Sequence, residues 1–234
     1  TGSILRSVSN TAPVTGEQSS ATEAGARRRK ERPDTVRVIG QEEVARGDLM
    51  DFHVVEHGRA LYLNGRVSNT GKIVLEKPVV SVSFLDGDGR QITVAKAFAD
   101  RHVNPGETLP LRGIIAPRPA GYKTYATHYR PAPDSFSSFV ESMSSSQERF
   151  AKSAFGGYEL TGVLSNPNGF SVKLAKIVVS LFDVKGRFIG SAYGFCGSKT
   201  LSPAETSPYR IAIYPYSLSG RPARYSLHFA ALKD

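Results

Sequence analysis

The chain contains one short stretch twice, first as Leu63-Asn64-Gly65-Arg66-Val67-Ser68-Asn69 and again as Leu160-Thr161-Gly162-Val163-Leu164-Ser165-Asn166. Each copy is a strand-like run that ends at an Asn. A second apolar run follows each copy and ends in Asp-x-x-Gly, at Asp86 and at Asp183. Both features recur after 97 residues (160 minus 63, 183 minus 86). This spacing predicts two repeats of domain size within the 234 residues.

Short β-prone runs surround both copies of the stretch. In the first repeat they cover residues 60–67, 79–84, 91–97, 108–115 and 123–129, and in the second 158–164, 176–182, 187–193, 207–213 and 224–229. The runs are rich in β-branched and aromatic residues and are bounded by turn residues. The clearest turn is Asp86-Gly87-Asp88-Gly89, because Gly tolerates the positive φ of a tight hairpin. Five such runs per repeat, without long helices, indicate β-sandwiches.

The predicted fold is all-β, with two tandem immunoglobulin-like antiparallel β-sandwich domains. The predicted boundaries are an extended N-terminal arm over residues 1–50, a first sandwich over 51–130, a helical linker over 131–155 and a second sandwich over 156–234.

The linker prediction rests on apolar residues that recur near helical spacing after two prolines. Asp134 or Ser135 would cap an amphipathic helix of about 15 residues. The apolar face of this helix either packs on a sandwich or binds a surface or partner groove. The candidate partner contacts on it are Phe136, Phe139 and Met143, and Val140 and Phe150 complete the pattern.

The first 34 residues are rich in Ser, Thr, Ala, Gly and Glu and have no apolar period, which is typical of a disordered arm. They end in a basic run that is either a solvated linker or an electrostatic tether to an anionic surface. Its candidate partner-binding residues are Arg27, Arg28, Arg29, Lys30 and Arg32.

Charge and composition narrow the classes of function. The net charge of +9 and the pI of about 9.7 predict a surface that attracts anions. Residues 1–50 hold eight basic and seven acidic side chains, so the excess belongs to the folded body. Cys196 is the lone cysteine, which excludes an internal disulfide and a thiolate zinc site. The longest apolar runs, such as 177–182, are far shorter than the roughly 20 residues of a membrane span.

The two repeats share a strand ending in Gly-x-Val/Leu-Ser-Asn, an Asp-x-x-Gly hairpin after Phe84-Leu85-Asp86 or Leu181-Phe182-Asp183, and a Pro-x-Glu turn. In these residues the chain resembles the FxLYD family of immunoglobulin-like domains, twice over, across about residues 56–130 and 156–232. Both copies depart from the literal Leu-Tyr-Asp motif. The resemblance implies a small antiparallel sandwich of secreted or membrane-anchored bacterial proteins, commonly a non-catalytic module.

No motif in the sequence predicts catalysis, a cofactor or a metal site. The five histidines have no ligand spacing, and neither Gly-x-Ser-x-Gly nor a phosphate-binding Gly-rich loop is present. Asp86-Gly-Asp88-Gly favours a hairpin over a calcium loop, since the second copy carries Lys185 in place of the second acid.

We therefore expect a non-catalytic accessory module that binds other protein subunits of a larger assembly at the cell envelope, on its extracytoplasmic side. An anionic membrane surface is a further expected contact, and no small-molecule substrate is expected. The alternative is a nucleic-acid-binding protein that uses the basic surface, which the absence of an RNA-recognition signature disfavours. The basic residues expected to meet a partner are Arg59, Arg66, Arg112, Arg118, Arg221 and Arg224.

Overall fold

The computed structural model describes residues 44–134, 139–154 and 156–234. Within these ranges the regular elements are β-strands and one 3-10 turn at Pro215–Ser217. The strands are β1 (Gly47–His57), β2 (Ala60–Asn69), β3 (Val79–Leu85), β4 (Gln91–Phe98), β5 (Thr108–Ile115), β6 (Thr124–His128), β7 (Phe139–Val140), β8 (Ser144–Lys152), β9 (Tyr158–Ser165), β10 (Val172–Phe182), β11 (Phe188–Phe195), β12 (Thr200–Leu201), β13 (Thr206–Ile213) and β14 (Arg224–Lys233). Strand pairing is antiparallel throughout, which confirms the predicted all-β class.

Strands β1–β6 form the first sandwich, in the order β1-β2-β5-β4-β3-β6. Phe98 and Arg112 make the only pairing between β4 and β5, so two three-stranded halves meet at that point. Both halves contribute to one core. It includes Leu61, Leu63 and Leu111 from one half and Val82 and Phe84 from the other, all without exposed surface.

Strands β7–β14 form the second sandwich. One sheet runs β11-β10-β14-β7, with β12 also paired to β10, and the other runs β13-β9-β8. Leu160 and Ile211 of the smaller sheet pack with Ile177, Val179 and Leu181 of the larger one in a second core.

The predicted linking helix is wrong, because the described part of residues 131–155 forms strands. Phe139 and Val140 pair with Leu232 and Ala231 of β14, and β8 pairs along β9. Ser144-Ser145-Ser146 begins β8, and serine is a poor former of helix interiors. The edges of β9 and β14 offer unpaired backbone groups, and residues 139–140 and 144–152 bind them as strands. This tertiary pairing outweighs the helical spacing of the apolar residues.

Strand β8 pairs with β9 at the edge of its sheet in the same way as β1 pairs with β2. Both edge strands carry a bulge, between Met50 and His53 in β1 and between Ser146 and Arg149 in β8. Each bulge contains one non-glycine residue with positive φ, Asp51 at 50° and Gln147 at 55°. Bulges twist a strand edge and limit its further pairing.

The terminal Asn of each repeated stretch closes a corner of its sandwich. Asn69 is 1% exposed, and its Nδ2 donates to the backbone oxygens of Ile73 (2.7 Å) and Val103 (2.9 Å). Its Oδ1 accepts from the backbone N–H of Gly71 at 2.9 Å. Asn166 is fully buried and binds the corresponding carbonyls of Phe170, Leu201 and Ser202. Buried amides of this kind satisfy loop carbonyls that would otherwise lack a partner.

The glycine of each stretch lets an aromatic ring lie against the strand. A Cβ built on Gly65 would lie 2.7 Å from the ring of Phe52, and one on Gly162 would lie 2.5 Å from the hydroxyl of Tyr209. Real Cβ atoms do not approach this closely, so the ring requires glycine at both positions.

The predicted Asp-x-x-Gly hairpins are confirmed. Oδ1 of Asp86 accepts from the backbone N–H groups of Asp88 and Arg90, and Oδ1 of Asp183 accepts from those of Lys185 and Arg187, each at 2.9 Å. Both carboxylates therefore have a structural role as turn caps.

Within residues 44–134, 139–154 and 156–234, no helix is long and apolar enough to cross a bilayer.

Candidate functional site

The two sandwiches pack side by side through the outer faces of two sheets. Tyr62, Asn64 and Arg66 alternate with core residues along β2, so they point away from the first core. They meet the outer face of the sheet formed by β11, β10 and β14. Nδ2 of Asn64 donates to the Ser217 oxygen at 3.0 Å, and the Arg66 guanidinium lies 5.5 Å from the Phe188 ring centroid. We call this contact region the junction.

An ion cluster joins the sandwiches at one side of the junction. The Asp100 carboxylate accepts from Arg112 of the same sandwich at 3.0 Å and from Lys176 of the other at 2.5 Å. Both cations also lie over Tyr193, at 3.5 Å and 4.2 Å from the ring centroid. Burial alone would raise the pKa of Asp100, but the hydrogen bonds and charges of the two cations outweigh it and hold the pKa below its usual range.

Arg101 makes a second link from the same loop. Its side chain is 5% exposed, binds Glu107 and donates from Nε to the Phe229 oxygen at 2.8 Å. Desolvation pushes the pKa of Glu107 upward, yet Arg101 lowers it overall. A buried pair of this kind is costly to break, because removing one partner leaves the other charge uncompensated.

His228 lies at the centre of the outer face of β14. Its Nε2 is 3.1 Å from the Ser180 hydroxyl and 3.4 Å from that of Ser226. Burial, opposed by Glu107 and assisted by Arg101, lowers the pKa of His228 to about 4. The imidazole is therefore neutral at physiological pH and serves the packing of the junction.

The junction opens on one side into a cleft of about 530 Å³, which we call the aromatic cleft. Its wall carries Tyr62, Tyr193, Tyr214 and Tyr216. The rings of Tyr214 and Tyr216 stack at 5.2 Å with an interplanar angle of 16°. Tyr216 also packs on Tyr62 and on His57 of β1, at 5.5 Å and 4.8 Å. The cleft is thus built from both sandwiches, and its aromatic wall is continuous across the boundary.

Large apolar side chains remain exposed around this cleft. Tyr214 is 52% exposed, Phe98 42% and Ile114 59%, and all three line the cleft. Phe195, on the same strand as the cleft residue Tyr193, is 51% exposed. Clustered exposed apolar residues with a polar rim are typical of interaction sites.

Six of the eight residues predicted from sequence to contact a partner are not among the described residues. The basic run Arg27, Arg28, Arg29, Lys30 and Arg32, and the linker residue Phe136, fall outside the described residues. Phe139 is half-buried, with its ring 6.3 Å from that of His102. Met143 is 8% exposed in the second core. The partner contacts predicted for these residues stay predictions.

Three of the six basic residues expected to meet a partner have acidic neighbours in the chain itself. Arg66 pairs with Asp51, Arg112 with Asp100 and Arg118 with Glu56. Arg59, Arg221 and Arg224 are exposed.

Sequence reasoning missed the aromatic cleft, and one signal could have indicated the junction. The run Ile177-Val178-Val179-Ser180-Leu181-Phe182 is almost continuously apolar, which is typical of a strand buried on both faces. The Tyr214-Pro215-Tyr216 turn carried no comparable signal.

A metal centre is absent from the described residues. Among them, no group of three or more His, Cys, Asp or Glu side chains lies close enough to hold a metal ion. Cys196 is 8% exposed, and burial raises the pKa of its thiol. Its Sγ lies 3.1 Å from the Ser198 oxygen.

Comparisons with known proteins give no family assignment. No family model matches the chain, and no curated protein matches it. Among solved structures, the chain is similar to a transglutaminase of the red sea bream, at 7% sequence identity and a TM-score of 0.23. That match covers 77% of this chain and 29% of the transglutaminase chain.

Proposed function

We propose that the protein is a non-catalytic module that binds another protein through the aromatic cleft and the apolar residues around it. The observation that supports this most is the concentration of exposed aromatic and aliphatic side chains at one place. Protein interfaces are enriched in Tyr and Phe at their centres and depleted of free charges there. Among the described residues, Arg112 is the one charged residue of the cleft lining, and it pairs with Asp100.

The junction fixes the two walls of the aromatic cleft relative to each other. Asp100, Arg101 and Asn64 each bond across the two sandwiches, so the cleft walls are held in a fixed relation. A preformed site loses less conformational entropy on binding than a flexible one. We therefore propose that the two sandwiches act as one scaffold, and not as two independently moving domains.

We also propose that the module arose by duplication of an FxLYD-like unit and works on the extracytoplasmic side of a bacterial envelope. The 97-residue spacing and the matching pairs β1/β2 and β8/β9 support the duplication. The location rests on the resemblance of the Gly-x-Val/Leu-Ser-Asn and Asp-x-x-Gly motifs, together with an expected contact to an anionic membrane surface.

Site-directed photo-cross-linking tests the proposal. A photoreactive phenylalanine analogue at Tyr214, in the full chain expressed in its native host, should give a discrete adduct with a second protein. The same analogue at Val184, which is 75% exposed on the β10–β11 hairpin, is the matched control and should give none. Absence of any protein adduct at Tyr214 would contradict the proposal.

Nucleic-acid binding is the second candidate, supported by the net charge of +9 together with the exposed tyrosines. Single-stranded nucleic acids bind basic grooves in which bases stack on aromatic rings. Binding of an oligonucleotide that weakens steeply with salt, and is lost when the Arg27–Arg32 run is neutralised, would favour this function over the first.

A further inference from the structure

The aromatic cleft has a neighbour on the other side of the Tyr214-Pro215-Tyr216 turn. This second groove, of about 550 Å³, is lined by Tyr158, Glu159 and Arg210 and shares Tyr214 and Tyr216 with the cleft. The stacked pair of rings therefore forms a ridge between two grooves, with ring centroids 5.2 Å apart.

Two grooves separated by an aromatic ridge are a surface of the kind that binds polyproline II segments. The polyproline II helix has three residues per turn and a rise of about 3.1 Å per residue, so the same side repeats about every 9 Å. Successive turns can lie in successive grooves and place pyrrolidine rings against the ridge. Recognition of PxxP segments by aromatic-lined grooves works in this way.

The polar groups of the cleft fit the backbone of such a ligand. A polyproline II helix has no internal hydrogen bonds, so its carbonyl groups can accept from the protein. Tyr216 lines the cleft, and its hydroxyl, like any tyrosine hydroxyl, is protonated at neutral pH and can donate to such a carbonyl. Ser191 also lines the cleft, and its buried Oγ has no hydrogen-bond partner among the described residues. Most buried polar atoms in proteins have a hydrogen-bond partner, so the Ser191 hydroxyl is an exception.

The charge at one end of the cleft indicates an acidic side chain next to the prolines. Arg112 and Lys176 share the single carboxylate of Asp100, so this cluster carries one positive charge in excess. Arg112 is 27% exposed there. A carboxylate on the ligand would complement the excess charge, whereas a basic side chain would be repelled.

We propose that the occupant of the two grooves is a proline-rich peptide segment in the polyproline II conformation, with an acidic residue at the end that meets Arg112. This inference rests on the proposed function and names the chemistry of its partner. A polyproline II segment is already extended before it binds, so it loses little conformational entropy on binding.

Fluorescence anisotropy with the full chain tests the inference. The probe is a labelled PxxP-repeat peptide with one terminal Glu, and the comparison probes are the same peptide with Ala for Pro, the same peptide with Lys for Glu, and oligothymidylate. We expect saturable binding of the first probe alone. Tyr214→Ala should weaken it about tenfold or more, as loss of a central aromatic contact does, and Val184→Ala should leave it unchanged.

Tyr214 is half-exposed, so its replacement should leave the fold intact, and an unchanged melting temperature verifies this. No binding of the acidic PxxP probe, equal binding of the Ala peptide, or wild-type affinity in the Tyr214→Ala variant would each overturn the inference. If the probe fails while cross-linking at Tyr214 still captures a protein, the inference fails and the proposed function stands. If oligothymidylate binds and Tyr214→Ala abolishes that binding, both fail.

Discussion

Replacing Asn69 by Ala removes the side chain that closes a corner of the first sandwich. Its amide makes three hydrogen bonds, two donated to the Ile73 and Val103 oxygens and one accepted from Gly71. A net contribution of about 1 kcal/mol for each bond gives a loss of about 3 kcal/mol. The loss is not relieved by solvent, because Asn69 is 1% exposed and the two carbonyls stay inside.

Denaturant unfolding of Asn69→Ala, followed by circular dichroism, measures this loss directly. We expect a lower midpoint with an unchanged slope, and a melting temperature reduced by roughly 6–12 °C. Asn69→Asp should be at least as unstable, because a carboxylate cannot donate to either carbonyl. The matched control is Gln91→Ala, whose amide Oε1 accepts from the Ser83 hydroxyl at 2.8 Å at an exposed site and whose loss should cost less than about 1 kcal/mol. A loss below about 0.5 kcal/mol for Asn69→Ala would refute the assigned role.

Three other variants test separate parts of the structure. Gly162→Ala should destabilise by about 1–3 kcal/mol in thermal melts, because its Cβ meets the Tyr209 ring; partial rescue by Tyr209→Leu is expected, and no rescue would contradict the clash. The pKa of His228 is about 4 in the folded protein and about 6.5 in the unfolded chain, so the unfolded chain binds a proton at a higher pH. The free energy of unfolding should therefore fall as the pH decreases from about 6.5 to about 4. His228→Gln should flatten that pH dependence, and an unchanged profile would count against it. Asp100→Asn should speed amide hydrogen exchange in β5 and β10 by leaving two cations without their shared carboxylate; wild-type exchange would exclude a role in the junction.

Much of the strand layout follows from local patterns. The alternation around Leu63 and Leu160 predicts β2 and β9 correctly, and the Asp86 and Asp183 turns predict the β3–β4 and β10–β11 hairpins. Such features are local, because a hairpin turn or a period-2 pattern depends on a few neighbouring residues.

The residues 139–152 show where local pattern fails. The spacing of Phe139, Val140 and Met143 fits a helix as well as it fits a short strand, and only the open edges of β9 and β14 decide between them. The repeat could have indicated a strand here, because Ser144–Lys152 is the counterpart of strand β1, Gly47–His57. Short apolar runs are ambiguous by periodicity alone.

The candidate site could not be predicted because it is made by packing between the sandwiches. Tyr62 and Tyr216 are 154 residues apart (216 minus 62) and meet only when the outer sheet faces come together. The sequence predicts that basic residues meet a partner, yet Arg66 and Arg112 form ion pairs with Asp51 and Asp100 of the same chain. The composition gives the net charge of the chain, whereas the fold determines which basic side chains pair with acidic ones.

Photo-cross-linking from position 214 in the native host tests the central claim most directly. We expect a single protein adduct that disappears when an excess of the acidic PxxP peptide competes for the cleft, and no adduct from position 184. Cross-linking to nucleic acid, or equal labelling of unrelated proteins from both positions, would contradict the claim that the aromatic cleft is a protein-binding site.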